Sequence, residues 1–384
     1  MVFDITSSSV AAALIQSGSE SPEVLWSLRR DFPFQNRLEL SRLTKDMLVA
    51  LQAVAEAAVA ANERLFGAQK LDDIFVVFSS PWYVSQTTLL SFAHQKSVSV
   101  DGALSDIEGY LNEKERTLNA AKGATAMLME KKIIQTRLNG YPTGNPRGKK
   151  AKSVEAAVLV SFLDTEVYRQ TSEVFKRLFH RGTRTYHSSM LVLFSGIRDL
   201  FAEEEDFLLA SVSGEATELA LVRDDVLIEH GSFPVGKNTL LRAIASSLKT
   251  TKDDAESRLE LYRSGKSEAK ESERMSIALA AVQSDWESAF EGAVQKLSNG
   301  HTLPTSLFLV TELVLGEWFR AALLENSTNA LTMTGAPFSV VLLTPEHFSS
   351  HLSLGKSVLL DPYLALYALF AHKYPRTDFA DTLV

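Results

Sequence analysis

The sequence predicts an α/β protein made of two similar halves, each opening with a strand hairpin. Two hairpin patterns carry this: "VFDITSSSVAAAL" (residues 2–14) and "LLASVSGEATELALV" (residues 208–222). After each, apolar strands alternate with amphipathic helices, the pattern of an α/β lobe. A stretch of different character, residues 96–183, stands between the halves and reads as a small α/β module inserted into the first.

The composition sets the limits. With 384 residues, 45% hydrophobic and 22% charged, the chain is an ordinary globular protein long enough for two or three domains. A net charge of −8 excludes a bulk electrostatic drive toward nucleic acid or anionic lipid. The absence of cysteine excludes disulfides, thiolate zinc sites and cysteine nucleophiles, and fits a reducing compartment. No apolar run approaches the ~18–20 residues that cross a bilayer. The opening "MVFDI" lacks a basic region followed by an apolar stretch, so no secretory signal is expected and a cytoplasmic protein is.

In order, "MVFDITSSSVAAALI" predicts the first hairpin, broken at a Ser/Thr cluster. Residues 41–67 predict a long helix, with Leu43, Met47, Leu51, Val54 and Ala58 at helical spacing and Gly67 as its stop. "DDIFVVFSS" predicts a strand buried on both faces. Residues 107–140 read as one charged amphipathic helix, "YPTGNPRGKKAKS" as a loop, "VEAAVLVSFLD" as a strand and "TEVYRQTSEVFKRLFHRG" as a helix. "YHSSMLVLFSGIRDLF" reads as an apolar helix leading to the second hairpin. Two helices follow, separated by Thr250 and Thr251 as N-caps over Asp253 and Asp254. "KSEAKESER" reads as a solvated stretch, residues 275–300 as a helix closing at Gly300, and "TSLFLVTEL" and "FSVVLLTP" as strands flanking the helix "GEWFRAALLEN". "DPYLALYALFAHKY" predicts a last helix packing back on the first half. The division expected is 1–95 with 184–204 and a returning 359–384 as first lobe, 96–183 as module and 205–358 as second lobe.

This plan resembles the actin-like ATPase superfamily, a two-lobed, duplicated ribonuclease-H-like fold, and within it the FtsA and PilM families of bacterial cell division and type IV pilus assembly. Four stretches carry the resemblance: "VFDITSSSVAAAL", "LNGYPTGNPRGKK", "LLASVSGEATELALVRDDVLIEHGSFPVGKNTL" and "TTKDDAESRLELY". It implies a cleft holding ATP with Mg²⁺ between the two hairpins, where turn N–H groups meet phosphate oxygens. Asp4 would hold the metal, with Thr6, Ser7, Ser213, Gly214 and Thr217 around the phosphates and Glu256 near the ribose.

The same stretches depart from the pattern. Thr6 stands where the first turn's glycine belongs, Ser211 replaces the second aspartate, and Ser213 and Glu215 replace two glycines. A carboxylate ~4 Å from phosphate in a dielectric near 20 costs several kcal/mol, so Glu215 weighs against binding unless a cation bridges it. Glu312 and Leu313 stand where the family has Gly-Gly. Weak or lost hydrolysis is expected, as phosphoryl transfer depends on such positioning. Residue by residue the plain alternatives stay open: an ordinary hairpin at residues 208–222, and a helix-start role for Glu256.

Other candidates have structural readings. "VGKNT" and "SGKSE" lack the upstream glycine of a Walker loop. His347 and His351 have no third ligand. "SSLK" lacks the companion motifs of an acylating serine. Arg147, Lys149, Lys150 and Lys152 form a basic loop, read as solvated, with docking to an acidic tail or lipid headgroup as the alternative. Two roles stay open. An FtsA-like protein tethers a division ring through its own C-terminal amphipathic helix. A PilM-like protein binds a membrane partner's cytosolic peptide in a groove between insertion and first domain. The nine residues after Pro375 read as no lipid-seeking helix. What both share is a cytoplasmic scaffold at the inner face of the membrane, recruiting membrane-associated partners and able to self-associate. An active ATPase or kinase of the superfamily is the alternative.

Overall fold

In a computed structural model, the structure describes residues 1–17, 20–67, 71, 73–120, 125–180, 182–300, 302–325, 332, 335–356 and 358–374. The expected tail after Pro375 lies outside the described residues. Strand β1 (Val2–Ile5) turns into β2 (Ser9–Ser17), and β3 (Pro22–Asp31) runs back beside it. Helix α1 (Leu40–Phe66) buries Leu43, Met47, Leu51, Val54 and Ala58 against this meander. It ends at Gly67, whose φ of 64° lies in the left-handed region. Strand β4 (Asp73–Phe78) then pairs parallel to β1.

The chain next leaves the lobe. β5 (Tyr83–Ser99), α2 (Val100–Ala120), β6 (Ala126–Leu138), β7 (Tyr141–Pro142) and β8 (Lys150–Asp164) form a separate four-stranded sheet, ordered β5-β8-β6-β7. It returns through α3 (Thr165–Leu178), capped by Asp164, to β9 (Thr183–Ser188), which pairs parallel to β4. Helix α4 (Ser189–Leu200) closes the first passage.

The second lobe repeats the plan. β10 (Phe207–Val212), β11 (Thr217–Arg223) and β12 (Val226–Phe233) form the meander. Helices α5 (Lys237–Leu248), α6 (Lys252–Arg263) and α7 (Ala269–Ser298) cover it. β13 (Ser306–Thr311) pairs parallel to β10, and after α8 (Leu313–Glu325), β14 (Ser339–Leu342) pairs parallel to β13. The chain ends its described part with β15 (Ser353–Leu354), added to the first sheet beside β3, and α9 (Pro362–Lys373), capped by Asp361. Sheet orders β3-β2-β1-β4-β9 and β12-β11-β10-β13-β14 are the same order in two copies.

Helices α4 and α9 are the equivalent last helices of the two copies, and they pack on each other. One apolar core runs from Phe75 and Val77 of the first sheet, through Phe194 and Ile197 of α4 and Leu366 and Phe370 of α9, to Phe207 and Phe308 of the second. Gly196 makes the approach possible: a Cβ there would lie 2.6 Å from Leu366 Cδ2.

Five expectations are corrected. Residues 107–140 are not one helix. α2 ends at Ala120 and β6 follows, because the apolar residues of "AMLMEKKIIQTRL" serve both faces of a bulged strand: Ile133 and Leu138 pack in the cluster with α2, while Met127, Met129 and Ile134 join the lobe cores. The run "YHSSMLVLF" is split between β9 and α4. The charged "KSEAKESER" enters α7, whose first turns are solvated on one side. The module's sheet begins at Tyr83 and ends at Asp164, while α3 and β9 belong with the first lobe, because α3 packs on α1 and β9 pairs with β4. The return to the first lobe starts at β15, before residue 359.

Gly196→Val should lower the unfolding free energy by ~1–3 kcal/mol in urea titrations, since the branched side chain drives into Leu366. Gly102→Ala in α2 meets nothing within 4 Å and should be neutral or stabilising by up to ~1 kcal/mol.

Candidate functional site

The matching meanders set the two hairpin turns tip to tip across the cleft. In the first, Thr6 N–H donates to Ser9 O at 3.0 Å, and Thr6 Oγ1 accepts from the N–H groups of Ser8 (3.1 Å) and Ser9 (3.0 Å). In the second, Ser213 N–H donates to Ala216 O at 3.0 Å. The tips then touch. Ser7 Oγ accepts from Glu215 N–H at 2.8 Å and shares a 3.0 Å hydrogen bond with Ser213 Oγ. A Cβ on Gly214 would fall 2.1 Å from Ser8 Cβ, so only glycine fits there. The first N–H groups of α5 are also engaged, Lys237 with Ser213 O (3.0 Å) and Asn238 with Gly214 O (2.8 Å). Gly236 allows this approach, since a Cβ would lie 2.5 Å from Ser213 O.

Beside the tips lies a charged row. Asp4, Ala11 and Arg29 are register partners across β1, β2 and β3. The small alanine between them lets Arg29 reach over to Asp4. Arg29 Nη2 donates to Asp4 Oδ2 at 2.8 Å, Nε and Nη2 donate to Asp361 Oδ2 at 3.0 and 2.7 Å, and Nη1 donates to Ser9 Oγ at 2.7 Å. Asp361 also caps α9 through Leu364 N–H at 3.0 Å. Asp4 is fully buried, and its Oδ1 has no partner among the described residues. Burial pushes its pKa up to about 6, against the lowering pull of Arg29.

Further ion pairs line the cleft. Lys237, 2% exposed, pairs with Glu312. Lys252 of α6 reaches across to Asp31 of β3 at 3.0 Å, and Glu256 joins it at 3.5 Å. Against the raising effect of burial, Lys237 and the paired Lys252 together hold Asp31 below the usual carboxylate range. Deeper in, Glu218 accepts from Ser80 (3.1 Å), Tyr83 (2.8 Å) and Ser189 (2.9 Å), binding β11 of the second lobe to hydroxyls of the first lobe and of the module's first strand. Burial pushes its carboxyl up.

The structure gathers Asp4, Thr6, Ser7, Ser213 and Gly214 at one point. Thr217 is elsewhere. Strand alternation sends it with Leu219 and Leu221 into the second lobe's core, where it accepts from Trp286 Nε1 at 3.1 Å and donates to Val235 O at 2.7 Å. Glu256 stands a lysine away from the first lobe, 3.5 Å from Lys252. Glu215 does not point a bare charge into the cleft: Arg242 of α5 grips it through Nη1 (3.0 Å) and Nη2 (2.7 Å), and Asn238 donates at 2.7 Å. The bridging cation is thus a guanidinium. Ser211, in the second aspartate's place, meets the hydroxyl of Tyr363 at 3.2 Å. Sequence reasoning misses Arg29, Asp361 and Arg242 and meets Lys237 only within "VGKNT"; a basic residue in a strand row opposite an aspartate is the available signal for Arg29. For ATP with Mg²⁺ the fit is poor. Asp4, the proposed metal ligand, already has a guanidinium on it, and the turn donors named above are taken.

Two lobes of the same strand order, joined through paired helices and closed on opposed hairpins, define an actin-like fold. No protein-family model matches the chain, and no curated protein sequence does. Among solved structures it is similar to PilM in the PilM–PilN type IV pilus biogenesis complex, 14% identical over 97% of each chain with a TM-score of 0.64. It matches more loosely the ethanolamine utilization protein EutJ from Carboxydothermus hydrogenoformans, 11% identical over 97% of this chain and 88% of that one, TM-score 0.45. The cytoplasmic domain of EpsL, an inner-membrane component of the type II secretion system of Vibrio cholerae, matches at 10% identity over 98% and 95%, TM-score 0.37.

Ser7→Cys with Ser213→Cys, in a chain without cysteine, should close to a disulfide under mild oxidant, seen as a mobility shift reversed by reductant. Failure to close would mean the tips stand apart in solution. For Asp4 the folded pKa exceeds the unfolded one, so its contribution to stability is present below pH ~4 and lost as pH rises through 6. Asp4→Asn should therefore gain on the wild type by up to ~3 kcal/mol between pH 4 and 7, read from urea midpoints. A constant gap would contradict the shift.

Proposed function

We propose that the chain is an actin-like scaffold of type IV pilus assembly or cell division, recruiting membrane-associated protein partners at the cytoplasmic side of the membrane, with ATP hydrolysis weak or lost. The contact of the two turn tips through Ser7 carries the second half of this reading, because it uses protein hydroxyls and N–H groups where a phosphate chain would need them. The Arg29 bridge between Asp4 and Asp361 supports it, tying the first hairpin to the start of α9 through a protein cation. The scaffold half rests on the shared fold with PilM, a protein solved in a complex of pilus biogenesis. No helix among the described residues is long and apolar enough to cross a membrane, so recruitment by partners is the route proposed.

Isothermal titration with Mg-ATP should give no saturable heat, and phosphate release should match the protein-free blank. Tight binding with turnover would instead make this an active ATPase. In cells, a fluorescent fusion truncated after Tyr374 should keep its membrane recruitment; loss of recruitment would favour self-tethering.

A further inference from the structure

Where the module meets the second lobe, a groove of about 520 Å³ opens that the cleft does not use. Strand β5 is the outer strand of the module sheet and β12 the outer strand of the second-lobe sheet. The two edges approach each other and are stitched by Thr87 Oγ1, which donates to Leu227 O at 2.8 Å. Past that stitch the groove lies between residues 89–91 of β5 and Val226 and Ile228 of β12. Leu89 stands at its mouth, 74% exposed, on the sheet face opposite α2, since its register partner Ala157 joins the interlobe core.

The groove also has polar features. At one end Arg137 donates to Asp224 Oδ2 at 2.9 Å and Gln135 to Asp224 O at 2.7 Å, so those groups are taken. Arg223 is different. Its Nε and Nη2 are shielded from solvent and have no acceptor among the described residues. These two N–H groups form the side-on edge of a guanidinium, the edge that grips a carboxylate with two parallel bonds. Leaving them unmet is unfavourable, and an acceptor in the groove, reached by a change of Arg223 rotamer, relieves it.

An unpaired strand edge, an exposed leucine and an unmet guanidinium edge converge here. We propose that this groove docks an extended segment of a partner protein, which adds as a strand to the free edge of β5 and places a glutamate or aspartate on Arg223 between apolar side chains on Leu89 and Ile228. Backbone pairing supplies affinity and the alternate side chains supply selectivity. Glu155 also lines the groove and disfavours a second acidic residue in the docked segment. The surface is separate from the hairpin cleft and independent of the fate of nucleotide.

The probe is an end-blocked synthetic peptide, Thr-Val-Thr-Glu-Thr-Val-Thr, titrated into the full chain with labelled Leu, Val and Ile methyl groups. Saturable NMR shifts are expected at Leu89, Val226 and Ile228. Lysine in place of the glutamate, or Arg223→Gln in the protein, should weaken binding tenfold or more, and Leu89→Asp should abolish it. Both variants change groove-lining side chains, so their thermal transitions should match the wild type and separate lost docking from lost folding. The proposal is overturned by the absence of shifts at millimolar peptide, by equal binding of the lysine peptide, or by shifts confined to another surface. It is also overturned if sedimentation shows a dimer that Leu89→Asp dissolves, which would make a second copy of the chain the occupant.

Discussion

The packing of α4 on α9 sets the geometry of everything else. Each helix is the last element of its copy of the fold, and each sheet lays one face on the pair. Two sheets of identical order, related through a shared helical layer, must bring their first hairpins into opposition. Gly196 fixes how near the layer's two helices come, because any side chain there meets Leu366. The cleft and its contacts follow from that spacing.

Given opposed hairpins, the sequence differences at the turns decide what lies between them. Glycines with free N–H groups would leave a cradle for phosphate. Here Ser7 fills it from one side, Thr6 turns the first loop's N–H groups inward, and Arg242 draws the Glu215 carboxylate away toward α5. Arg29 supplies the positive charge beside Asp4, permanently attached to the fold. Ion pairs across the cleft, such as Lys252 with Asp31, add lobe-to-lobe attraction that water screens in part. Glu218 is a costlier tie, a carboxylate out of water that three hydroxyls satisfy.

Much of this was legible in the residues. The hairpins announced themselves by turn residues between apolar runs, α1 by its spacing and Gly67, and α6 by Thr251, whose Oγ1 accepts from Asp254 N–H at 3.3 Å. Gathering Asp4, Ser7, Ser213 and Gly214 needed only the duplication. What failed was local. β6 has apolar residues at spacings that suit a helix, and bulges let a strand carry them. Long β5 alternates over a half-exposed face and ends in polar residues, so no apolar run marked it. At the site, the partners that neutralise each group are far along the chain, Arg29 and Asp361 by 332 residues, and no local pattern reports such pairs. Thr217 could have been excluded: alternation with Leu219 and Leu221 already sends it to the core.

The placement of α9 has a consequence for how the protein is made. Leu364 and Ala368 cover Ala11, Ala13 and Val24, and β15 pairs with β3, so a sheet synthesised early is roofed by a segment synthesised long after it. On the ribosome, that alanine-lined face stays wet until residues 353–373 have emerged, while the second lobe's own helices can already condense on their strands. Vectorial synthesis therefore completes the molecule from its middle outward, with the amino-terminal half waiting for its lid.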